Sequence, residues 1–119
     1  MKYLLLIYEN EAVGNGLSEA EQGKIFQEYM DYSKRIRKSG NYIGGEALQP
    51  VSTATTVRVK NGKTLTTDGP FAETREQLGG FFLVEAKDLD EAIALAAGIP
   101  GSRTGSIEVR PIMPTPPVE

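Results

Sequence analysis

The side chains best suited to chemistry gather in one stretch, Thr67-Asp68-Gly69-Pro70-Phe71-Ala72-Glu73-Thr74-Arg75-Glu76. A carboxylate such as Asp68 can give or take a proton, and the planar fork of Arg75 suits an anionic group. Asp68 and Gly69 form turns, Pro70 fixes its own φ and restricts its predecessor, and Phe71 is a large apolar anchor. The stretch therefore reads as a turn that holds a charged cluster, Glu73, Arg75 and Glu76, at the edge of whatever Phe71 fills. Plainer roles stand beside these. Asp68 could cap the turn by accepting from backbone N–H groups. Phe71 reads as a core plug in preference to a substrate stacker, and the charged trio fits a solvated helical turn as well as a ligand clamp.

Four further polar residues can reach a cleft near this turn. Glu108 and Arg110 stand two apart on a strand and so share a face, while Ile107 and Val109 claim the other. Tyr8, at the end of the first strand, offers a hydroxyl, and Glu46 lies on the second strand. The candidate proton-transfer residue is Asp68. The candidate ligand-binding residues are Tyr8, Glu46, Phe71, Glu73, Arg75, Glu76, Glu108 and Arg110. Oxygen donors for magnesium or calcium exist in Glu46, Asp68 and Glu108, but their spacing demands no metal. The glycines at 14, 16, 44, 45, 79 and 80 match neither a phosphate loop nor a dinucleotide fingerprint, so no cofactor is expected.

Composition narrows the chemistry further. The chain has no cysteine and no histidine, which removes disulfides, thiolate nucleophiles, the commonest general base near neutral pH and the usual zinc ligands. A net charge of −3 argues against nucleic acid as a partner. The basic run Lys34, Arg35, Arg37 and Lys38 is explained by a helix C-terminus, where the dipole favours cations. The opening Met1 to Tyr8 resembles a secretory leader only until Glu9, and no small-residue cleavage site follows. No apolar run approaches the ~20 residues of a membrane span. A cytoplasmic protein with no membrane partner is expected, and 119 residues suffice for one domain with a genuine core.

The elements that must position these groups follow from periodicity. Residues 2–8 are apolar at both parities, as in a strand buried on both sides. Glu9 to Gly16 reads as a polar connection. A helix starts at Ser18, with Glu21 completing a capping box, and ends at Gly40 in the left-handed region. Its predicted buried stripe is Ile25, Phe26, Tyr29, Met30, Ser33 and Ile36. Residues 42–48 form a strand weakened by Gly44-Gly45, which suggests a bulge or close backbone approach. Residues 54–60 and 63–67 flank Asn61-Gly62, a hairpin signal that places Val59 opposite Thr64 and Val57 opposite Thr66. Residues 81–86 are again apolar at both parities. Asp88 caps a short helix with Glu91 as reciprocal partner, and its predicted buried stripe is Leu89, Ala92, Ile93 and Ala96. Residues 107–113 form the last strand, with Pro111 implying an edge. One domain over residues 1–113 and a flexible proline-rich tail at 114–119 are expected.

Two βαβ halves with right-handed crossovers give a ferredoxin-like α+β sheet with the first strand and the 81–86 strand side by side in the centre. Two helices cover one face of such a sheet. The other face presents Leu and Phe side chains, a patch larger than a monomer leaves open, so a homodimer joined sheet to sheet is expected.

From Tyr3-Leu4-Leu5-Leu6 through Asp68-Gly69-Pro70-Phe71, the trailing Glu73-Thr74-Arg75-Glu76 and Gly79-Gly80-Phe81-Phe82 to Glu108-Val109-Arg110-Pro111, the chain resembles the YCII-related proteins. The likeness is greatest to the branch named for its Asp-Gly-Pro-Phe motif. The resemblance implies a dimeric α/β barrel of ferredoxin-like subunits and little about activity. Better-understood relatives suggest an acid–base enzyme built on a histidine and an aspartate, and a chain without histidine cannot carry that pair. Proteins of this branch also look like C-terminal appendages of alternative sigma factors.

Three functions fit these observations. The first is a small dimeric module binding a polar or anionic metabolite in an interfacial cleft. The second is a cofactor-free lyase or isomerase in which Asp68 or a cleft glutamate moves a proton while Arg75 or Arg110 holds an anion. The third is a regulatory interaction domain without a ligand. A deeply buried carboxylate favours the enzyme, and water-exposed carboxylates favour the binder.

Overall fold

The computed structural model describes residues 1–118; Glu119, the end of the expected tail, lies outside them. The chain runs through β1 (Lys2–Glu9), α1 (Glu11–Asn15), α2 (Glu19–Lys38), β2 (Tyr42–Ala47), β3 (Thr55–Lys60), β4 (Lys63–Asp68), β5 (Gln77–Glu85), α3 (Leu89–Ala97) and β6 (Ser106–Pro111), with 3-10 turns at Val51–Thr53 and Pro100–Arg103. The result is a mixed α+β fold. Its main sheet has four strands in the order β2-β5-β1-β6, and every neighbouring pair is antiparallel. This is the ferredoxin-like order, with the two strands that are apolar at both parities in the centre. Pro111 sits on an edge strand, where its missing N–H costs no ladder bond to a further strand.

Local chemistry sets the helix ends. Ser18 Oγ accepts from the Glu21 backbone N–H at 3.2 Å and the Glu21 carboxylate accepts from the Ser18 backbone N–H at 3.2 Å, which satisfies donors that the first turn would otherwise leave free. Past the basic last turn, Gly40 takes φ 83°. Asp88 accepts from the Glu91 N–H, whereas the Glu91 carboxylate reaches one residue further back, to Lys87 N–H at 3.1 Å. The connection after β1, expected to be irregular, contains the short helix α1. Asn10 caps it by accepting from Ala12 N–H at 3.0 Å.

The core lies on one face of the sheet only. Tyr3, Leu5, Ile7 and Val84 meet Tyr32, Ile36, Ala92, Ala96 and Ile99, with Ala86 beside them. Each helix buries part of the stripe expected of it: Ile36 in α2, with Ile25, Tyr29 and Ser33 half-buried, and Ala92 and Ala96 in α3. In α2 the buried residues are Tyr32 and Ile36, whereas Phe26 is 67% and Met30 43% exposed. In α3 Ala92 and Ala96 are buried and Leu89 and Ile93 lie half out in water. Tyr32, outside the expected stripe, is buried at the centre of the helical layer. The Tyr32 ring packs edge-on against Phe82 at 5.2 Å between centroids, and its hydroxyl donates to the Leu95 carbonyl at 2.7 Å. That bond ties α2 to α3.

β2 pairs with β5 through an irregularity between Tyr42 and Gly44. A Cβ on Gly45 would lie 2.8 Å from Phe82 Cδ1 and 2.9 Å from the Phe81 carbonyl oxygen, so the close approach read from the glycine pair is real. β5 begins four residues earlier than the apolar run, at Gln77, and Gly80 passes against the Glu46 backbone.

Among the described residues β3 and β4 pair only with each other. Asn61 (φ 51°) and Gly62 (φ 75°) make their turn, and Val59 faces Thr64 and Val57 faces Thr66. This two-stranded arm stands off the main sheet. The radius of gyration is 16.5 Å, against about 13.5 Å for a compact chain of this length.

Candidate functional site

Residues opposite one another in an antiparallel pair point to the same face, so the register maps the surface turned away from the helices. Leu4 lies between Leu83 and Arg110, Leu6 between Phe81 and Glu108, and Tyr8 between Leu78 and Ser106. Glu46 flanks Phe81 from the other edge. The result is an apolar floor of half-buried Leu4, Leu6, Phe81 and Leu83 with polar groups on its rims. Glu108 and Arg110 form an ion pair along one rim. Their side chains are 38% and 67% exposed respectively. Glu46 lies on the opposite rim, three strand spacings away, or about 14 Å.

The Asp-Gly-Pro-Phe turn sits at the root of the arm. Asp68 ends β4 opposite Thr55 and is exposed. Among the described residues no donor reaches its carboxylate. Other groups hold the turn: Gly69 N–H donates to the Ala54 carbonyl at 2.7 Å, and Thr56 Oγ1 donates to the Gly69 carbonyl at 2.9 Å. Gly69 takes φ 95°. Phe71, expected to plug the core, is 81% exposed.

Glu73 and Arg75 are exposed, and among the described residues no ion pair joins them to each other or to Glu76. Of this trio only Glu76 reaches the rim, where Ser106 Oγ donates to its carboxylate at 2.8 Å. Gln77 fastens the segment, donating to the Thr74 carbonyl at 2.6 Å and accepting from Glu11 N–H at 2.9 Å. Within one chain, then, Tyr8, Glu76, Glu108 and Arg110 share the open face near β6, Glu46 faces them from the far edge, and Asp68, Phe71, Glu73 and Arg75 lie off the sheet. Glu46, Asp68 and Glu108 stand on three separate strands. Among the described residues no group of three acidic side chains could hold a metal ion.

The helix side carries a feature that sequence periodicity hides. A groove of about 420 Å³ runs between α2 and the β2–β5 pair, bordered by Phe26, Tyr29, Met30, Ser33 and Arg37 of α2 and by Glu9 at one end. The Tyr29 hydroxyl accepts from Gly101 N–H at 3.2 Å and donates to Glu9 Oε1 at 3.5 Å. Burial, with the Glu9 charge second, pushes that hydroxyl's pKa up to about 12. At the other end the Arg37 guanidinium lies 3.9 Å over the Tyr42 ring, and its Nε–H donates to Ser33 Oγ at 3.3 Å. Phe26 and Met30, expected in the buried stripe, border this groove instead, and Ser33 is half-buried beside them. The discriminating signal was the polar Ser33 and Arg37 continuing the same spacing.

An antiparallel βαββαβ sheet covered on one face, with an apolar and rimmed opposite face, defines a small α+β protein of the ferredoxin-like class. The YCII-related domain model matches residues 1–116, and the chain belongs to that family. It is also similar to an uncharacterized protein of Rhizobium meliloti (strain 1021), 36% identical over 114 residues that cover 94% of this chain and 92% of the other. Among the described residues no helix is long and apolar enough to cross a membrane.

Proposed function

We propose that the chain acts in the cytoplasm as a homodimer, a dimeric α/β barrel joined through the open sheet faces, and that the cleft between the two rims binds a small polar or anionic metabolite. The observation carrying this reading is the one-sided core: the large side chains buried deepest all lie on the helix face, while Leu4, Leu6, Phe81 and Leu83 form two unbroken apolar pairs on the other. The Asp-Gly-Pro-Phe motif at residues 68–71 supports placing the chain in the branch named for it.

Magnitudes indicate what else the interface needs. Four strands about 4.8 Å apart and some seven residues long have a footprint on the order of 400 Å², about half of the ~800 Å² per partner typical of a stable complex. The arm supplies the rest. A lone two-stranded hairpin is marginal in water, yet this one exposes Val57 (58%), Val59 (66%) and, at its root, Phe71. Draped over a partner, it covers those groups and brings Asp68 and Arg75 toward the partner's rim. That is the route by which residues scattered in one chain come to line one cleft.

Between binder and enzyme, the exposure of Asp68 supports the binder, because a proton-transferring carboxylate needs burial to lift its pKa. Arg110, exposed on the rim, is the hydrogen-bond donor to the anion, which it would take in exchange for its pairing with Glu108. The test is a melting-temperature screen of small carboxylates and phosphate esters on the wild type, Arg110→Gln and Asp68→Asn. A stabilising ligand whose effect is lost in Arg110→Gln, with the unliganded melting temperature unchanged, supports the reading. A ligand that stabilises Arg110→Gln equally contradicts it, and turnover abolished in Asp68→Asn would establish the enzyme instead.

A further inference from the structure

The groove between α2 and β2–β5 opens on the helix side, with Glu46 and Phe81 of the strand pair also along its lining, and its reading does not rest on the proposed dimer. Its volume of about 420 Å³ lies within the range of small-molecule sites, which are mostly apolar with a few placed polar groups. Here the apolar surface comes from Phe26, Met30 and Phe82, and the exposure of Phe26 and Met30 is left unexplained by the core. The two ends are chemically opposite. Glu9 and the Tyr29 hydroxyl stand at one. At the other stands Arg37, which no carboxylate pairs among the described residues. Eight residues of helix separate Tyr29 from Arg37, about 12 Å at 1.5 Å per residue.

We infer that this groove is a binding site for an elongated aromatic carboxylic acid, its acid group on Arg37, its ring system between Met30 and Phe82, and a hydrogen-bond donor at its far end on Glu9. Arginine is suited to this because its planar fork meets a carboxylate through two N–H bonds. Nε–H bonding to Ser33 and stacking on Tyr42 fix the plane of the guanidinium before any ligand arrives, which lowers the entropic cost of binding. The reversed orientation sets a carboxylate against Glu9 and is disfavoured.

The probe is hydroxynaphthoate with its carboxylate and hydroxyl at opposite ends of the naphthalene, titrated against the full chain and followed by its own fluorescence and by amide NMR. Saturable binding is expected, with shifts at Tyr29, Ser33 and Arg37. Arg37→Gln should weaken it at least tenfold and Arg37→Lys by less. The hydroxynaphthamide, which is neutral, should bind as weakly to wild type as the acid does to Arg37→Gln, and naphthoate lacking the hydroxyl should lose severalfold in affinity. The inference is overturned by shifts confined to β6 residues such as Glu108 and Arg110, by equal affinity for the amide, or by no saturable binding at all.

Discussion

Glu46 and Glu108 stand at opposite ends of a single cross-strand row, joined by Phe81 and Leu6 and turned away from both helices. Strand positions about 14 Å apart across an apolar floor do not set these two residues up as a proton-transfer pair. In the homodimer proposed above they would be polar borders between a dry interface and a wet cleft, the core-and-rim pattern of protein interfaces.

Charging that floor separates assembly from folding. Leu6→Glu places a carboxylate between Phe81 and Glu108, where a partner's sheet would desolvate it at a cost of several kcal/mol, whereas in a lone chain it faces water. The expected outcome is a monomer with the wild-type circular dichroism spectrum. Phe71→Ser should also leave the fold intact, since the ring is 81% exposed, while raising the dimer dissociation constant. Both are checked by sedimentation velocity.

Alkaline pH should destabilise the fold through its tyrosines. Burial pushes Tyr32 and Tyr29 up to about 12 from an ordinary value near 10. The folded state therefore favours the protonated phenol. Its contribution is fully present below about pH 10 and is lost as pH rises from 10 to 12. Tyr32→Phe deletes the bond to the Leu95 carbonyl and should cost about 1 kcal/mol at pH 7. The same variant should show a shallower stability loss between pH 10 and 12, measured by urea unfolding across the range.

Gly45 is placed by proximity to its neighbours. A methyl group there meets the Phe81 carbonyl at 2.9 Å and the Phe82 ring at 2.8 Å, and only the ring can yield. Gly45→Ala should destabilise by about 1–3 kcal/mol, and Gly44→Ala, with open space around it, by much less. Thermal melts of the pair decide this.

What could be read from the sequence follows from how far its causes reach along the chain. The Ser18–Glu21 capping box was legible because both partners lie within one turn of helix. The central strands were legible because Leu4, Leu5 and Leu6 leave neither parity for solvent. The buried faces of α2 and α3 were legible in part, since Ile36, Ala92 and Ala96 follow from spacing whereas Tyr32 does not. Tyr32 takes the centre of the core because its hydroxyl meets a carbonyl 63 residues away, and no spacing rule contains that partner. Phe71 was misread for the same reason: its size says that it is worth burying, and only the path of the turn says whether anything is there to bury it. Among the site candidates, the shared face of Glu108 and Arg110 follows from strand alternation alone, whereas the groove beneath Phe26 and Met30 depends on the angle between a helix and a sheet.

The central claim is that half of the sheet's apolar surface is covered by a second copy of the chain. Light scattering coupled to gel filtration at micromolar concentration tests it most directly. A mass of twice 12.9 kDa that falls to the single-chain value in Leu6→Glu is the predicted result. A wild-type mass of one chain at that concentration contradicts it.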